Sequence, residues 1–226
     1  MATAGRKLNR KELRQPDWFQ VASENSLDFF NQHKNAVFAA VAGLVIIAAI
    51  AWGWQFFKQG QNLAASEEFT KAMALYQGEK YHEAIPVFDN VTGYRWSGYA
   101  VLGHLYLANS YLAISDMDKA MSEAQPTLAA TRPGSFYRQI ALVTLATAEK
   151  QKGDCKAAAQ HYNEAQNISG ALQGRAVLGK ARCAEQLGDI PAAIAAYKDY
   201  LKESPGLPWR VKLAEVEAKG AAAPRK

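Results

Sequence analysis

Apolar and polar positions change pattern twice along this chain, and the changes define its segments. From Ala36 to Phe57 the sequence reads AVFAAVAGLVIIAAIAWGWQFF, 22 residues without a charge and with Gln55 as the only strongly polar side chain. At 1.5 Å per residue, a helix of this length reaches about 33 Å, enough to cross a hydrocarbon core of about 30 Å. In lipid the segment must satisfy its own backbone hydrogen bonds, so a lone span is a helix. Trp52, Trp54, Phe56 and Phe57 close the stretch, where aromatic rings favour the headgroup level. The alternative is a buried core helix, but such helices rarely run this far without a charge.

Ahead of the span, Pro16-Asp17 has the form of a helix start, with Trp18, Phe19, Ala22, Phe29 and Phe30 roughly on one side. Such a helix would lie on a membrane surface with Glu24 and Asp28 in water; the alternative is a disordered arm. Gln59 to Ser66 holds one glycine and no proline, so the spanning helix can run on into the first repeat.

After the span the pattern repeats. Ala84, Ala120, Ala158 and Ala193 each follow a polar turn and are spaced by 36, 38 and 35 residues. Twelve residues before each stands another alanine: Ala72, Ala108, Ala146 and Ala181. Four residues after stand Phe88, Ala124, Tyr162 and Tyr197. Small residues on both helices of a hairpin permit close approach, an aromatic ring one turn on fills the space between units, and Gly or Asp makes the turn. This is the tetratricopeptide period of about 34 with small insertions. The spacing predicts an all-α protein: one N-terminal transmembrane helix followed by a solenoid of about four helix-turn-helix units. Pro126 is expected to kink or end the second unit's latter helix, while Pro86 and Pro191 are tolerable in a first turn. Leu207 to Ala218, with Trp209, Leu213 and Val216 at helical spacing, reads as the capping helix a solenoid needs. The expected segments are a basic arm over 1–35, the span 36–57, the repeat domain with its cap over 58–218, and a loose tail over 219–226.

Charge orients the span. The formal net charge is +5. Arg6, Lys7, Arg10, Lys11, Arg14 and Lys34 precede the span, whereas only Lys58 and Lys71 lie in the 20 residues after it. This bias predicts a cytoplasmic arm and a translocated repeat domain. The arm and span are also the expected lipid contacts. A cleaved signal peptide would need a shorter apolar core with a small-residue site directly after it, and Lys58, Gln59 and Gln61 stand there instead. Nucleic-acid binding is not expected, since no basic patch interleaved with aromatics stands out in the large part.

Catalytic chemistry is not expected. His33, His82, His104 and His161 are scattered without metal-ligand spacing, and no phosphate loop or nucleophile elbow occurs. No metal, cofactor or small-molecule substrate is therefore expected. Cys155 starts the second helix of the third unit and Cys183 lies late in the first helix of the fourth, so the two could meet. Outside the cytoplasm such a pair can form a disulfide; alternatively they are two small buried hydrophobes.

A repeat of this kind predicts a concave groove lined by the first helix of each unit. Its expected residues are Phe69, Met73 and Tyr76, then Leu105, Asn109 and Leu112, then Val143, Thr147 and Lys150, then Leu178, Arg182 and Glu185. The first two units supply an apolar half and the last two a polar half.

Phe29-Phe30 with Asn35, Gly43 and Gly53-Trp54, and Tyr99-Ala100-Val101-Leu102 leading to Leu107-Ala108 carry a resemblance to a known family. Over about Phe29 to Ala193 the chain resembles the YfgM-like ancillary subunits of the SecYEG translocon, bitopic bacterial inner-membrane proteins with a periplasmic tetratricopeptide domain. The resemblance implies association with the secretion channel and a membrane-anchored periplasmic chaperone, and no catalysis. Two rival functions share the same segments: a scaffold for pilus, outer-membrane or cytochrome biogenesis, and a regulator acting through its cytoplasmic arm.

Overall fold

The computed structural model describes the backbone of residues 18–222 and the side chains of residues 32–222. The chain divides into two compact units, Met1–Phe57 and Lys58–Lys226. The first described helix, α1, extends over Trp18–Gln77, and its backbone leaves helical geometry at His33 (φ −114°, ψ 19°). Pro16, Asp17 and the arm before them lie outside the described residues, as do the side chains of Trp18 to Phe30.

In the first unit the apolar stretch is helical throughout and its side chains stand open, with Leu44, Ile50 and Trp52 each more than 65% exposed. Rings pair along this surface: Trp52 and Phe56 lie 5.8 Å apart, Trp54 and Phe57 5.7 Å. Among the described residues, the part of α1 from Gln32 onward is long and apolar enough to cross a membrane.

The second unit is a run of helical hairpins. The end of α1 pairs with α2 (Tyr81–Thr92), α3 (Gly98–Ala113) with α4 (Met117–Ala130), α5 (Phe136–Gln151) with α6 (Cys155–Gln166), and α7 (Gln173–Gln186) with α8 (Ile190–Glu203). From α2 onward each helix packs on the next, α3 also meets α5 and α5 meets α7, and Ala72 near the end of α1 packs with Ala84 and Phe88 of α2. Contacts to neighbours in sequence and to the equivalent helix of the next unit are those of a solenoid.

The turn within each hairpin has one geometry. Residues Glu79, Ser115, Gly153 and Gly188 have φ of 58°, 63°, 90° and 76°. The next amide donates back to the last turn: Lys80 N to Leu75 O, Asp116 N to Tyr111 O, Asp154 N to Glu149 O and Asp189 N to Ala184 O, at 2.9 to 3.0 Å. This closure satisfies carbonyls the helix end would leave orphaned, and it requires a left-handed residue, which glycine adopts without a Cβ penalty. Asp116, Asp154 and Asp189 then cap the second helix, accepting from the amides of Lys119, Ala157 and Ala192. Lys80 leaves the first hairpin without a side-chain cap.

Packing follows from the alanines. Ala72, Ala84, Ala108, Ala120, Ala146, Ala158, Ala181 and Ala193 are all 0% exposed. Phe88, Tyr162 and Tyr197 are buried one turn beyond. The Tyr162 ring fills the space over Gly179, so closely that a Cβ there would meet ring carbons at 2.4 to 2.7 Å.

Two expectations need correction. Pro126 does not end α4, which runs on to Ala130; Pro86 likewise lies inside α2, beyond its first turn. Tertiary packing of Ala120, Ala124 and Thr127 on one face of α4 holds a helix that local propensity would break. The final helix, α9 (Leu207–Ala222), outruns the expected cap by four residues, so the chain remains helical from 219 to 222. Residues 223–226 lie outside the described residues. Val216 is buried against Ala181, Ala184, Ala193, Ala196 and Tyr197, with Trp209 and Leu213 beside it, which covers the solenoid's last apolar face.

Candidate functional site

The first helices of the units carry the expected groove positions in three rows, at three residues before, one after and four after the repeat alanine. The earliest row is only partly surface. Leu105 (2% exposed) and Val143 (4%) belong to the core and cannot line a groove. Their helices, α3 and α5, belong to the two middle units and have a first helix on either side, so this row turns into the seam between them. Phe69, Met73 and Tyr76 are half-buried around Phe88 and Leu107. Phe69 lies 5.8, 5.4 and 5.5 Å from the rings of Phe88, Tyr99 and Tyr106, and Tyr76 lies 5.2 Å from Tyr106. Such pairs add about 0.5–1.5 kcal/mol each beyond area burial. The apolar half of the groove is therefore committed in large part to holding the first two units together. Leu112 is half-buried as well.

The later rows stay accessible and become polar along the solenoid. Asn109 donates to Leu105 O at 2.8 Å and accepts from the Thr144 hydroxyl at 3.0 Å, which ties α3 to α5. Thr147 donates to Val143 O, and its hydroxyl lies 3.0 Å from the Tyr162 hydroxyl.

Thr147, Lys150, Leu178 and Arg182 converge, with Tyr162, Arg175 and Gly179, on one pocket of about 170 Å³ between α5, α6 and α7. Arg175 is outside the expected rows. It stands one turn before Leu178 and two before Arg182 on the same helix face, so extending the rows by a turn would have found it. Arg182 lies over the Trp209 ring at 5.3 Å. Burial pushes the Tyr162 phenol up, while its bond to Thr147 and the charges of Arg175 and Arg182 act against this. Burial also raises Tyr76, with Tyr81 and Tyr106 adding to it and Arg175 opposing.

Glu185 is engaged by the cap rather than free in the groove. It accepts from Lys212 at 2.9 Å, Lys219 at 3.2 Å and Tyr197 at 3.2 Å. Burial alone would raise its carboxyl, but these donors hold it below the usual carboxylate range. Burial, with the neighbouring Glu185 charge, pushes Tyr197 up to about 12.

A larger pocket of about 530 Å³ lies between helix ends, walled by Tyr99, Val101, Leu102 and Tyr137 with Arg132 as its one charge. Asn62, Thr131 and Ser135 also line it. His104 and His161 pair with Glu123 and Glu149, both at 2.8 Å, and among the described residues no three His, Cys, Asp or Glu side chains gather to hold a metal. Cys155 and Cys183 do meet in the core, as buried free thiols. Cys155 donates to Gln186 Oε1 at 3.1 Å, and burial together with the bond to Cys155 raises the Cys183 thiol.

A paired-helix solenoid with a capped end defines the class of helical repeat proteins. The tetratricopeptide repeat family model matches residues 69–135 and 143–208, more than half of the chain, and the chain belongs to that family. No curated protein matches it. Among solved structures, two of MamA are similar: one at 16% identity with a TM-score of 0.57, covering 72% of this chain and 96% of that one, and another at 17% with 0.54, covering 67% and 97%. A chain of the APC/C Cut9-Hcn1 hetero-tetramer matches at 17% identity and a TM-score of 0.53, over 66% of this chain; this chain spans 29% of that one's length. At these identities the similarity is one of fold.

Proposed function

We propose that this chain is a membrane-anchored, non-catalytic interaction module. Residues 36–57 cross the bacterial inner membrane, the arm stays in the cytoplasm, and the repeat unit stands in the periplasm. There it acts as an ancillary subunit of the secretion translocon and holds a segment of a membrane-anchored chaperone or client in its groove. The observation that carries this reading is the open apolar helix: Val41, Leu44, Val45, Ile46, Ile47 and Ile50 are each more than half exposed. Water penalises a continuous surface of this kind and hydrocarbon accepts it. A partner held in the same membrane gains effective concentration, so modest groove affinity suffices.

Protease added outside spheroplasts is expected to degrade the part after Lys58 and spare the arm. Crosslinking in intact membranes is expected to recover secretion-channel subunits and a membrane-anchored chaperone. Leu112→Glu, at a half-buried position of the expected groove, is expected to bring that recovery to background while the protein still unfolds cooperatively. Undiminished recovery of the same partners would exclude the groove as the binding surface.

A further inference from the structure

Short connections make successive helices of the repeat unit antiparallel neighbours, so the stack has two edges. The hairpin turns, residues 78–80, 114–116, 152–154 and 187–189, form one edge, and Lys152 of the third pairs across it with Asp118 beside the second. The connections between units, residues 93–97, 131–135, 167–172 and 204–206, form the other.

The two edges differ in chemistry. The turns hold Glu79, Asp116, Asp154 and Asp189 against Lys80 and Lys152. The connections hold Arg95 and Arg132, both exposed, and no acid. Large apolar side chains divide in the same way. Trp96, Phe136, Tyr137 and Leu207 stand exposed in the connections or within two residues of them, whereas the turns expose Leu187. Phe136 and Tyr137 lie ring to ring at 6.2 Å. Tyr137 also walls the pocket of about 530 Å³ with Tyr99, Val101 and Leu102, and Arg132 is the charge beside it. Asn62 lines the same pocket, so the chain enters the repeat unit at this edge. It does so directly after the uncharged stretch ends at Phe57.

Exposed aromatic rings next to arginines suit the headgroup layer of a bilayer: rings favour the boundary between acyl chain and headgroup, and guanidinium groups fit phosphates. The acids of the turns would be repelled by an anionic surface, so the charges select one edge. Connectivity selects lipid over a protein as the occupant. A bilayer held by residues just ahead of Lys58 is present at this edge at high effective concentration, and weak contacts then suffice.

We propose that the edge formed by residues 93–97 and 131–137 is a membrane-docking surface, with Trp96, Phe136 and Tyr137 in the headgroup layer of an anionic bilayer and Arg95 and Arg132 on lipid phosphates. The proposal rests on the membrane-anchored reading above and adds a second lipid contact, outside the span.

The test is photo-crosslinking of full-length protein in vesicles of phosphatidylcholine and phosphatidylglycerol. A phosphatidylcholine with a diazirine near the headgroup end of one acyl chain is the probe, and mass spectrometry locates the labelled peptides. Label is expected in residues 36–57 and at both connections, and not at the turns 114–116, 152–154 and 187–189. Each arginine is worth about fivefold in the docked-to-undocked ratio at an anionic surface, so Arg95→Gln/Arg132→Gln is expected to lower label at the connections at least about fivefold, with label in the span unchanged. Added salt or vesicles of phosphatidylcholine alone should act in the same direction. Trp96→Ser/Phe136→Ser is expected to lower it as well, with the unfolding midpoint measured alongside; Lys156→Gln, an exposed cation on α6, is expected to change nothing. A labelled span with unlabelled connections would overturn the docking surface alone. Label at the connections that neither double variant diminishes would reflect mere nearness to lipid and overturn it too. Unlabelled connections that crosslink to those of a second copy would give the edge to self-association instead. An unlabelled span would overturn the membrane-anchored reading itself, and the docking surface with it.

Discussion

Substitution of Gly179 by alanine tests the packing of the third and fourth units directly. The new methyl would sit 2.4 Å from one ring carbon of Tyr162 and 2.5 and 2.7 Å from two others. Carbon atoms pack at about 3.5–4.0 Å, so ring and helix must separate by about 1–1.5 Å. The ring has little room, being 3% exposed, and its hydroxyl sits 3.0 Å from that of Thr147. Overpacking of this kind costs about 1–3 kcal/mol, and loss of the hydroxyl bond about 1 kcal/mol more. Alanine returns about 1 kcal/mol of helix propensity. The net expectation is a destabilisation of about 1–3 kcal/mol, a fall of roughly 2–12 °C in the midpoint for a unit of this size. Thermal unfolding followed by circular dichroism measures it in the detergent-solubilised protein. The double change Gly179→Ala/Tyr162→Leu isolates the cause. In a Tyr162→Leu background the ring is gone, and Gly179→Ala should then be neutral or stabilising. If Gly179→Ala leaves the wild-type midpoint unchanged, or costs as much without the ring as with it, the ring-on-glycine contact is not what holds α6 to α7.

Three further outcomes are expected. Ser115→Gly and Glu79→Gly should each stabilise by up to about 1 kcal/mol and so raise the midpoint, because they relieve a left-handed cost of about 1–2 kcal/mol against the entropy of glycine, whereas Gly153→Ala and Gly188→Ala should lower it. Cys155 and Cys183, buried free thiols with Cys183 raised, should resist a thiol reagent in the native protein and both react in denaturant without reductant; a pair blocked until reductant is added would show them bonded. Glu185, whose carboxyl is lowered in the folded state, contributes stability that is present above the ordinary carboxylate range and lost as pH falls through its folded value. Trp209 fluorescence should therefore report release of α9 in acid before the hairpins melt, and Glu185→Gln should remove that acid step.

Much of this architecture was legible in the residues because it rests on local rules. An uncharged run of 22 residues sets a helix by length alone. Gly153-Asp154 and Gly188-Asp189 specify a left-handed turn and a helix cap in consecutive positions, and alanines twelve apart specify two helices in close approach. None of this depends on distant parts of the chain.

What the residues could not decide is which neighbours each side chain meets. Leu105 and Val143 occupy the same offset as half-buried Phe69 and Leu178, but middle units have a neighbour on either side, and that closes their row into the core. Pro126 breaks a helix by propensity, yet burial of one face of α4 carries the helix past it. Glu185 has the form of a groove residue until α9 folds back with Lys212 and Lys219 and claims its carboxylate. Lys150, Arg175 and Arg182 lie on two helices of different units, and only the stacking of those units gathers their charges around one pocket. Spacing along one helix fixes which side chains share a face; the field at that face is a sum over helices far apart in sequence, which packing alone brings together.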